Sequence, residues 1–161
     1  MTSMIREELI KALSGGAFVS GQHIGELLGV SRTAVSKHVK ALTELGLDIY
    51  SVTGKGYKLA QPLTLLSQRQ INNYLSANGK TNTVEVHTLI DSTNSYLMRL
   101  LSKQNEEKDS NLSQGQVCLA EYQSAGRGRR GRQWVSPFGS HLYLSMYWKL
   151  EQGLAAAMGL S

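Results

Sequence analysis

Arginine and glycine alternate in residues 126–131, Gly-Arg-Gly-Arg-Arg-Gly, and a fourth arginine follows at Arg132. Guanidinium groups hold carboxylates and phosphates through paired hydrogen bonds. Four neighbouring cations repel one another and glycine adds chain entropy, so a compact empty loop is disfavoured. We therefore expect this segment to order around a ligand that carries a carboxylate and phosphates. Trp134 could supply an apolar lid or a stacking face for a purine.

Other interpretations of residues 126–131 have to be weighed. The segment matches G-x-G-x-x-G, and Glu151 lies twenty residues beyond Gly131, as in a dinucleotide-binding fold. That fold needs a helix directly after the motif, and Pro137 and Gly139 leave no room for one before the next strand. A single segment between two predicted strands also differs from the repeated, disordered arginine–glycine tracts that bind RNA. The remaining alternative is a solvated basic loop.

A run of small polar residues, Asp-Ser-Thr-Asn at 91–94, follows a predicted strand over residues 83–90. A helical apolar stripe begins just after it, at Leu97. Such a run is usually an N-cap, but a strand-to-helix turn is also a good place for a polar ligand group.

The first third of the chain carries three amphipathic helical patterns. The second lies between the N-cap residue Ser20 and Gly29, and the third runs from Arg32 to Leu45. Two helices joined by a tight turn that contains glycine form a helix-turn-helix. The outer face of the third pattern holds hydroxyls and bases but no acid, which favours DNA over a merely solvated face.

A β-hairpin is predicted after these helices, with strands over residues 47–52 and 57–59 and a glycine-rich turn tipped by Lys55. A hairpin in this position is the wing of a winged helix, and Lys55 could meet backbone phosphate. The residues predicted to contact DNA are Ser31, Arg32, Thr33, Ser36, Lys37, Lys40 and Lys55.

The pattern divides the chain into two domains. Residues 1–60 form the winged helix-turn-helix domain, residues 61–66 a linker, and residues 67–161 a second domain. The second domain opens with a Ser67-x-x-Gln70 capping box and a helix to about Leu75.

The rest of the second domain is predicted from simple patterns. Residues 102–115 show no apolar period and indicate a surface loop, and residues 116–122 indicate a strand. Residues 142–150 alternate most clearly and indicate another strand. A helix that starts near Leu154 has no element after it before Ser161, so the domain is expected to be unfinished.

The composition narrows the class of protein. The chain has 161 residues, 41% of them hydrophobic, and a formal net charge of +5, so one or two folded domains with anionic partners are expected. The single cysteine, Cys118, cannot form an internal disulfide, and no Cys/His cluster has zinc spacing, so no metal site is predicted. No run of eighteen apolar residues could span a membrane, and no secretory signal is present, so a cytoplasmic setting is expected.

Four motifs of the second domain occur in a fixed order. In chain order they are Asp-Ser-Thr-Asn at 91–94, Ala-Glu-Tyr-Gln at 120–123, Gly-Arg-Gly-Arg-Arg-Gly-Arg-Gln-Trp at 126–134 and Ser-Pro-Phe-Gly at 136–139. Together they resemble the motifs of the biotin–protein ligases. With the winged helix in front, the chain is similar to the bifunctional bacterial form, which is also the repressor of the biotin operon.

The resemblance implies an α+β chain, in which the winged helix-turn-helix domain precedes an incomplete α/β ligase catalytic domain with a mixed sheet. It implies that biotin and ATP, with Mg²⁺, give biotinyl-5′-AMP and pyrophosphate. The biotinyl group then passes to a lysine of the carrier subunit of acetyl-CoA carboxylase. It also implies that the form bound to biotinyl-AMP dimerises and binds operator DNA, with no membrane partner.

The resemblance also assigns roles to individual residues. It implies Arg129 as the catalytic residue of the chain, with a pocket lysine beyond Ser161. Adenylate binding falls to Arg132 and Trp134. Biotin binding falls to Ser92, Thr93, Asn94, Gln123, Arg127, Gly128 and Arg129.

The chain also departs from this family. The strand with the pocket lysine, the rest of the sheet and a small C-terminal β-barrel domain are absent, so these 161 residues alone are expected to be a poor ligase or inactive. The alternative function is a winged-helix regulator with a small-molecule effector domain and no catalysis.

Overall fold

The computed structural model describes residues 2–107, 112–128, 130, 132 and 134–151. The described residues form five helices and five strands, divided between a helical N-terminal part and a three-stranded sheet with two helices. In chain order they are α1 Thr2–Leu13, α2 Gly21–Leu28, α3 Arg32–Glu44, β1 Ile49–Val52, β2 Gly56–Leu59, α4 Gln68–Ala77, β3 Val84–His87, α5 Thr93–Glu107, β4 Val117–Ala120 and β5 Tyr143–Met146.

The helix-turn-helix is present, and both of its helices begin at the predicted N-cap residues. The Ser20 hydroxyl accepts a hydrogen bond from the His23 N–H at 3.1 Å, and the Ser31 hydroxyl accepts one from the Ala34 N–H at 3.2 Å. Each bond satisfies a backbone donor that the first helical turn leaves free. Gly29 ends α2 in the left-handed conformation with φ 65°, as the sequence indicates.

The N-terminal core is closed by the inner faces of α1, α2 and α3. Leu9, Ile24, Val35 and Leu42 are each fully buried there. Burying a leucine or valine side chain contributes about 1.5–3 kcal/mol, so these faces hold the helices together. The outer face of α3 is thereby left to solvent.

The wing is an antiparallel pair, β1 with β2, in which Ile49 faces Leu59 and Val52 faces Gly56. Val19, just before α2, exchanges two 2.9 Å backbone hydrogen bonds with Tyr57 and fixes the wing to the helices. Gly56, with φ 99°, is required here because a Cβ would lie 2.1 Å from the Val19 carbonyl oxygen. The predicted hairpin is confirmed.

The second sheet is mixed and confirms the α+β class. Its strand order is β3-β4-β5, with β3 parallel to β4 and β5 antiparallel to β4. Helix α4 begins at its predicted cap, where the Ser67 hydroxyl accepts from the Gln70 N–H at 3.4 Å. Helices α4 and α5 contact the sheet.

Several predicted boundaries are wrong. Helix α5 continues to Glu107, so the predicted loop over residues 102–115 is helical in its first part. Lys, Gln and Glu are good helix formers, so a helix can continue through them without an apolar stripe. The predicted strands over residues 83–90, 116–122 and 142–150 shorten to four residues each, and the helix predicted from Leu154 lies outside the described residues.

The two halves of the chain share a hydrophobic core. Phe138, only 8% exposed, packs into the N-terminal core and stacks on Tyr122 with ring centroids 6.1 Å apart. Leu63, in the predicted linker, packs against the same core and its N–H donates to the Ser14 carbonyl at 2.9 Å. The linker residues are therefore held against both halves, while the domain boundaries themselves stay a prediction.

Among the described helices, none combines the length and the apolar character needed to cross a membrane.

Candidate functional site

The candidate site lies at the carboxyl ends of the parallel strands β3 and β4. An isolated bridge between Ile90 and Gln123 extends their pairing beyond the sheet. Backbone N–H groups of Ser124 and Ala125 donate to the carbonyls of Ile90 and Asp91 at 2.9 and 2.8 Å. The polar turn before α5 and the segment after β4 thus run side by side, at the edge where open α/β sheets usually bind ligands.

A cavity of about 360 Å³ opens at this edge. It brings together six of the predicted ligand residues, from three separate parts of the sequence. The predicted residues that line it are Ser92, Thr93, Asn94, Gln123, Arg127 and Trp134.

Buried hydrogen bonds hold the inner wall of the cavity. The Thr93 backbone N–H donates to Gln123 Oε1 at 2.8 Å, and the Thr93 hydroxyl lies 3.1 Å from the same oxygen. Thr93 is 3% exposed and Ser92 is 5% exposed. The Ser92 hydroxyl accepts from the Ser95 N–H at 3.4 Å, so this residue caps α5 as well as lining the cavity.

The Asp91 carboxylate pairs with a residue of α5, and Asp91 does not line the cavity. Its two carboxylate oxygens accept from the guanidinium of Arg99 at 2.6 and 2.9 Å. The hydrogen bond from Arg99 lowers the pKa of the Asp91 carboxyl to about 2. Because the carboxylate is already paired with a cation, it adds little repulsion toward an anionic ligand in the neighbouring cavity.

The arginine–glycine segment borders the cavity. The Gly128 N–H donates to the Arg132 carbonyl at 3.0 Å, and a Cβ on Gly128 would lie 2.6 Å from that oxygen. A Cβ on Gly126 would lie 2.9 Å from Trp134 Cδ1. Glycine at both positions therefore lets the chain fold back on itself. Arg129, the predicted catalytic residue, lies outside the described residues.

Among the described residues in and just after this segment, Arg127 and Trp134 line the cavity. Trp134 is 52% exposed, so one side of its ring remains available to a ligand. No α-helix follows the G-x-G-x-x-G match within residues 134–151, which agrees with the rejection of a dinucleotide fold.

The sequence patterns missed the wall that β5 contributes. Leu142, Tyr143, Leu144 and Ser145 line the cavity, and the Ser145 hydroxyl lies 2.8 Å from the Thr93 hydroxyl. The alternation of residues 142–150 predicts a strand, but only its pairing beside β4 brings Ser145 to this edge. Tyr143 is buried, whereas Leu144 at 51% and, after the strand, Trp148 at 58% are exposed.

A second polar cluster fastens α5 to the sheet outside the cavity. The Tyr96 hydroxyl donates to Glu85, whose other carboxylate oxygen accepts from Gln116 Nε2 at 2.8 Å. Burial, with the Glu85 hydrogen bond as a further cause, raises the pKa of Tyr96 to about 12. This cluster fixes the helix whose first turn carries the cavity residues.

The predicted DNA-contact residues are all exposed to solvent. Ser31 is the cap of α3, and the outer face of that helix and the wing turn supply the rest. In the wing turn, the Lys55 Nζ atom lies over the Phe18 ring, 5.9 Å from its centroid. The exposed residues of this set are Ser31, Arg32, Thr33, Ser36, Lys37, Lys40 and Lys55.

Two protein families match separate parts of the chain. Residues 6–58 match an HTH domain, and residues 86–158 match the biotin/lipoate A/B protein ligase family. The fold and the cavity agree with both matches. The class of protein is therefore a helix-turn-helix domain joined to a ligase-type domain.

Curated relatives of the chain are named as bifunctional ligase/repressors. The bifunctional ligase/repressor BirA of Escherichia coli K12 is 49% identical over 154 residues, 96% of this chain and 44% of the relative. BirA of Salmonella typhimurium is 50% identical over 153 residues, with 95% and 44% covered. BirA of Bacillus subtilis is 34% identical over 148 residues, with 91% and 43% covered.

Over nine tenths of its own length, the chain is similar to these bifunctional ligase/repressors. It spans less than half the length of these relatives.

Proposed function

We propose that the protein is a biotin–[acetyl-CoA-carboxylase] ligase and a biotin-responsive repressor of the biotin operon. In the first step a carboxylate oxygen of biotin attacks the α-phosphorus of ATP, the bond to the β-phosphate breaks, and pyrophosphate leaves. In the second step a lysine amine of the biotin carboxyl carrier protein attacks the acyl carbon. An amide forms, AMP leaves, and the amine gives up a proton.

The observation that carries this proposal is the chemistry of the cavity. Its inner wall is a network of neutral hydrogen-bonding groups, Thr93, Gln123 and Ser145, and its rim holds the cation Arg127. The matched family covers both biotin and lipoate ligases. The cyclic urea of biotin can use such polar groups, whereas the dithiolane ring of lipoate has neither an N–H donor nor an oxygen acceptor. A polar inner wall therefore favours biotin.

The arginine–glycine segment is proposed to act on the phosphates. Adenylation needs the carboxylate held in line with the α-phosphate, and cations that stabilise the charge on departing pyrophosphate. Arg127, Gly128 and Arg129 are proposed to close over biotin, with Arg129 as the catalytic residue, and Arg132 and Trp134 to close over the adenylate. A closed segment also shields the reactive mixed anhydride from water.

Mg²⁺ is proposed to arrive with ATP. Within the described residues, no three His, Cys, Asp or Glu side chains are grouped so that they could hold a metal ion. The ATP phosphates can supply some of the ligands of an octahedral Mg²⁺ ion, and water molecules can supply others. The residues of this chain then have only to bind and orient the nucleotide.

The DNA-binding surface is proposed to recognise the biotin operator, with α3 in the major groove and Lys55 on backbone phosphate. The protein that holds biotinyl-AMP is proposed to form the homodimer that binds there. Residues 1–60 are proposed as the DNA-binding domain, residues 61–66 as the connector and residues 67–161 as part of the catalytic domain. The shared core at Phe138 supports communication between the two functions.

The proposal is tested on the intact natural protein, by measuring pyrophosphate release with biotin, with ATP and with both. Release is expected only with both substrates, and Thr93→Val is expected to reduce it because the inner network loses a hydroxyl. Ser102→Ala, on the exposed side of α5, is the matched control. Biotin-dependent DNA binding without any pyrophosphate release would instead support a regulator that has no catalytic activity.

A further inference from the structure

Ser145 belongs to none of the motifs that mark the ligand site, yet it lies in the cavity wall. It sits in β5 opposite Cys118 of β4, and its hydroxyl is 2.8 Å from the hydroxyl of Thr93, 52 residues earlier in the chain. Its place was set by strand pairing rather than by a local sequence signal.

The directions of the hydrogen bonds around Thr93 can be worked out from the donors. The Thr93 backbone N–H can only donate, so the Gln123 atom that it contacts at 2.8 Å must be the amide oxygen. That oxygen can only accept, so the Thr93 hydroxyl, 3.1 Å away, gives it its single proton. The Thr93 oxygen then has only lone pairs to offer to Ser145, so it can only accept. The bond between the two hydroxyls therefore runs from Ser145 to Thr93.

This order fixes what the wall can offer to a ligand. The Gln123 amide oxygen already accepts two hydrogen bonds, so the remaining capacity of that side chain is its Nε2 donor group. Ser145 has committed its only proton to Thr93, so its oxygen is left as an acceptor. The wall consequently offers a donor at Gln123 and an acceptor at Ser145.

A cyclic urea has the complementary set, a carbonyl acceptor flanked by two N–H donors in one rigid plane. We propose that Ser145 is a biotin-binding and specificity-determining residue, whose hydroxyl oxygen accepts a hydrogen bond from one ureido N–H while Thr93 holds its proton. This inference rests on the proposed function, since it names the contact that selects a ureido ring at the same cavity.

The contact also explains why a hydroxyl is needed at this point of the strand. A hydroxyl with a free choice of rotamer could donate or accept, and would discriminate poorly between ligands. Because Ser145 donates its only proton to Thr93, a ligand that places a hydrogen-bond acceptor here would face the lone pairs of the Ser145 oxygen. No proton would then lie between the two acceptors. Such a mismatch in a buried site costs about 1–3 kcal/mol.

The test is a double-mutant cycle between protein and ligand, measured by calorimetric titration of the intact protein. The ligands are biotin and its two N-methyl isomers, each of which lacks one ureido N–H. The proteins are wild type, Ser145→Ala, the conservative Ser145→Thr, and the exposed control Ser102→Ala. In the wild type, one isomer is expected to bind about ten- to a hundred-fold more weakly than biotin.

The coupling between the Ser145 substitution and N-methylation of biotin decides whether Ser145 contacts the ligand. Biotin itself is expected to bind to Ser145→Ala at least about ten-fold more weakly than to the wild type. In this variant, methylation of the ureido nitrogen that is proposed to contact Ser145 should weaken binding further by at most about three-fold. Ser145→Thr keeps the hydroxyl oxygen, and Ser102→Ala leaves the cavity unchanged. Both variants are expected to discriminate between biotin and its N-methyl isomers as the wild type does.

Two results would overturn the assignment in distinguishable ways. If Ser145→Ala weakens biotin and both isomers by one common factor, the residue only supports the fold and the proposed contact is wrong. If the wild type fails to bind biotin at all, the proposed function fails, and the assignment of Ser145 fails with it.

Discussion

The two halves of the molecule hold their functional side chains in opposite ways. On α3, the exposed residues predicted to contact DNA project from one helix, and Val35 and Leu42 on its inner face are fully buried. In the cavity, Thr93, Gln123 and Ser145 come from three segments and are joined to one another by hydrogen bonds. A surface for a polyanion can be built on one local element, whereas a pocket for a small polar ring needs distant segments fixed in register.

The difference predicts where each half is sensitive to substitution. The proposed DNA-contact face should keep its fold when its exposed side chains are changed, but lose it when its supporting backbone is altered. The cavity should respond to single polar atoms, because the hydrogen bonds within its wall fix which groups are left to donate to or accept from a ligand.

The largest stability effect is expected at the wing. Gly56→Ala places a Cβ 2.1 Å from the Val19 carbonyl oxygen at a φ of 99°, and should lower the free energy of unfolding by more than about 3 kcal/mol. Gly54→Ala is the matched control, since its φ is 81° but no heavy atom lies within 4 Å of the new Cβ. It should cost about 1–2 kcal/mol from backbone strain alone. Equal losses in urea unfolding would contradict the role given to the Val19 contact.

The shared core is the next strongest test. Phe138→Ala should cost about 3 kcal/mol, because the ring is buried against the N-terminal core and stacked on Tyr122. Phe18→Ala removes a ring that is 40% exposed and should cost less than about 1 kcal/mol. Thermal unfolding measures both. If the two variants lose the same stability, Phe138 does not join the halves as described.

A smaller effect, of about 1 kcal/mol in binding, is expected on α3. If Lys37 meets a DNA phosphate, Lys37→Ala should reduce the slope of log affinity against log salt concentration by about 0.9. The exposed Lys80, between α4 and β3, provides the control, and Lys80→Ala should leave the slope unchanged. Fluorescence anisotropy over a salt series gives both slopes. An unchanged slope in Lys37→Ala would remove this residue from the interface.

The smallest effect concerns acid stability. The pKa of Asp91 is lowered from 3.8 to about 2 by the Arg99 hydrogen bond, so its contribution is present above about pH 4 and is lost as the pH falls toward 2. The wild type should therefore lose part of its unfolding free energy across this window, and Asp91→Asn should lose less. The surface substitution Asp48→Asn should keep the wild-type loss. Identical pH profiles for the wild type and Asp91→Asn would show that the pair does not stabilise the fold.

The N-terminal half could be predicted from the sequence because its signals are local. The hydroxyl caps Ser20 and Ser31 and the stop at Gly29 each act within one helical turn, and the structure uses all three. The end of α5 was missed because its last turns carry polar helix formers and no apolar stripe. The apolar period of residues 142–150 located β5 but did not indicate that Leu144 and Met146 would be its exposed side.

The cavity could be predicted only in part. Motif resemblance selected Thr93 and Gln123, which the structure joins by hydrogen bonds, although no spacing rule relates positions 30 residues apart. Ser145 carried no motif, and only the pairing of β5 with β4 brings it to Thr93. The resemblance supplied the names of the ligand residues, and the fold supplies the order of their hydrogen bonds.

The central claim, that the cavity recognises the ureido ring through the Gln123 amide, is tested most directly by Gln123→Glu. The substitution keeps the shape and the oxygen that accepts from Thr93, but it removes the Nε2 donor. Calorimetric titration of the intact protein should show biotin binding weakened by about a hundred-fold, with thermal stability close to that of the wild type. Biotin affinity equal to the wild type in a folded Gln123→Glu protein would contradict the account.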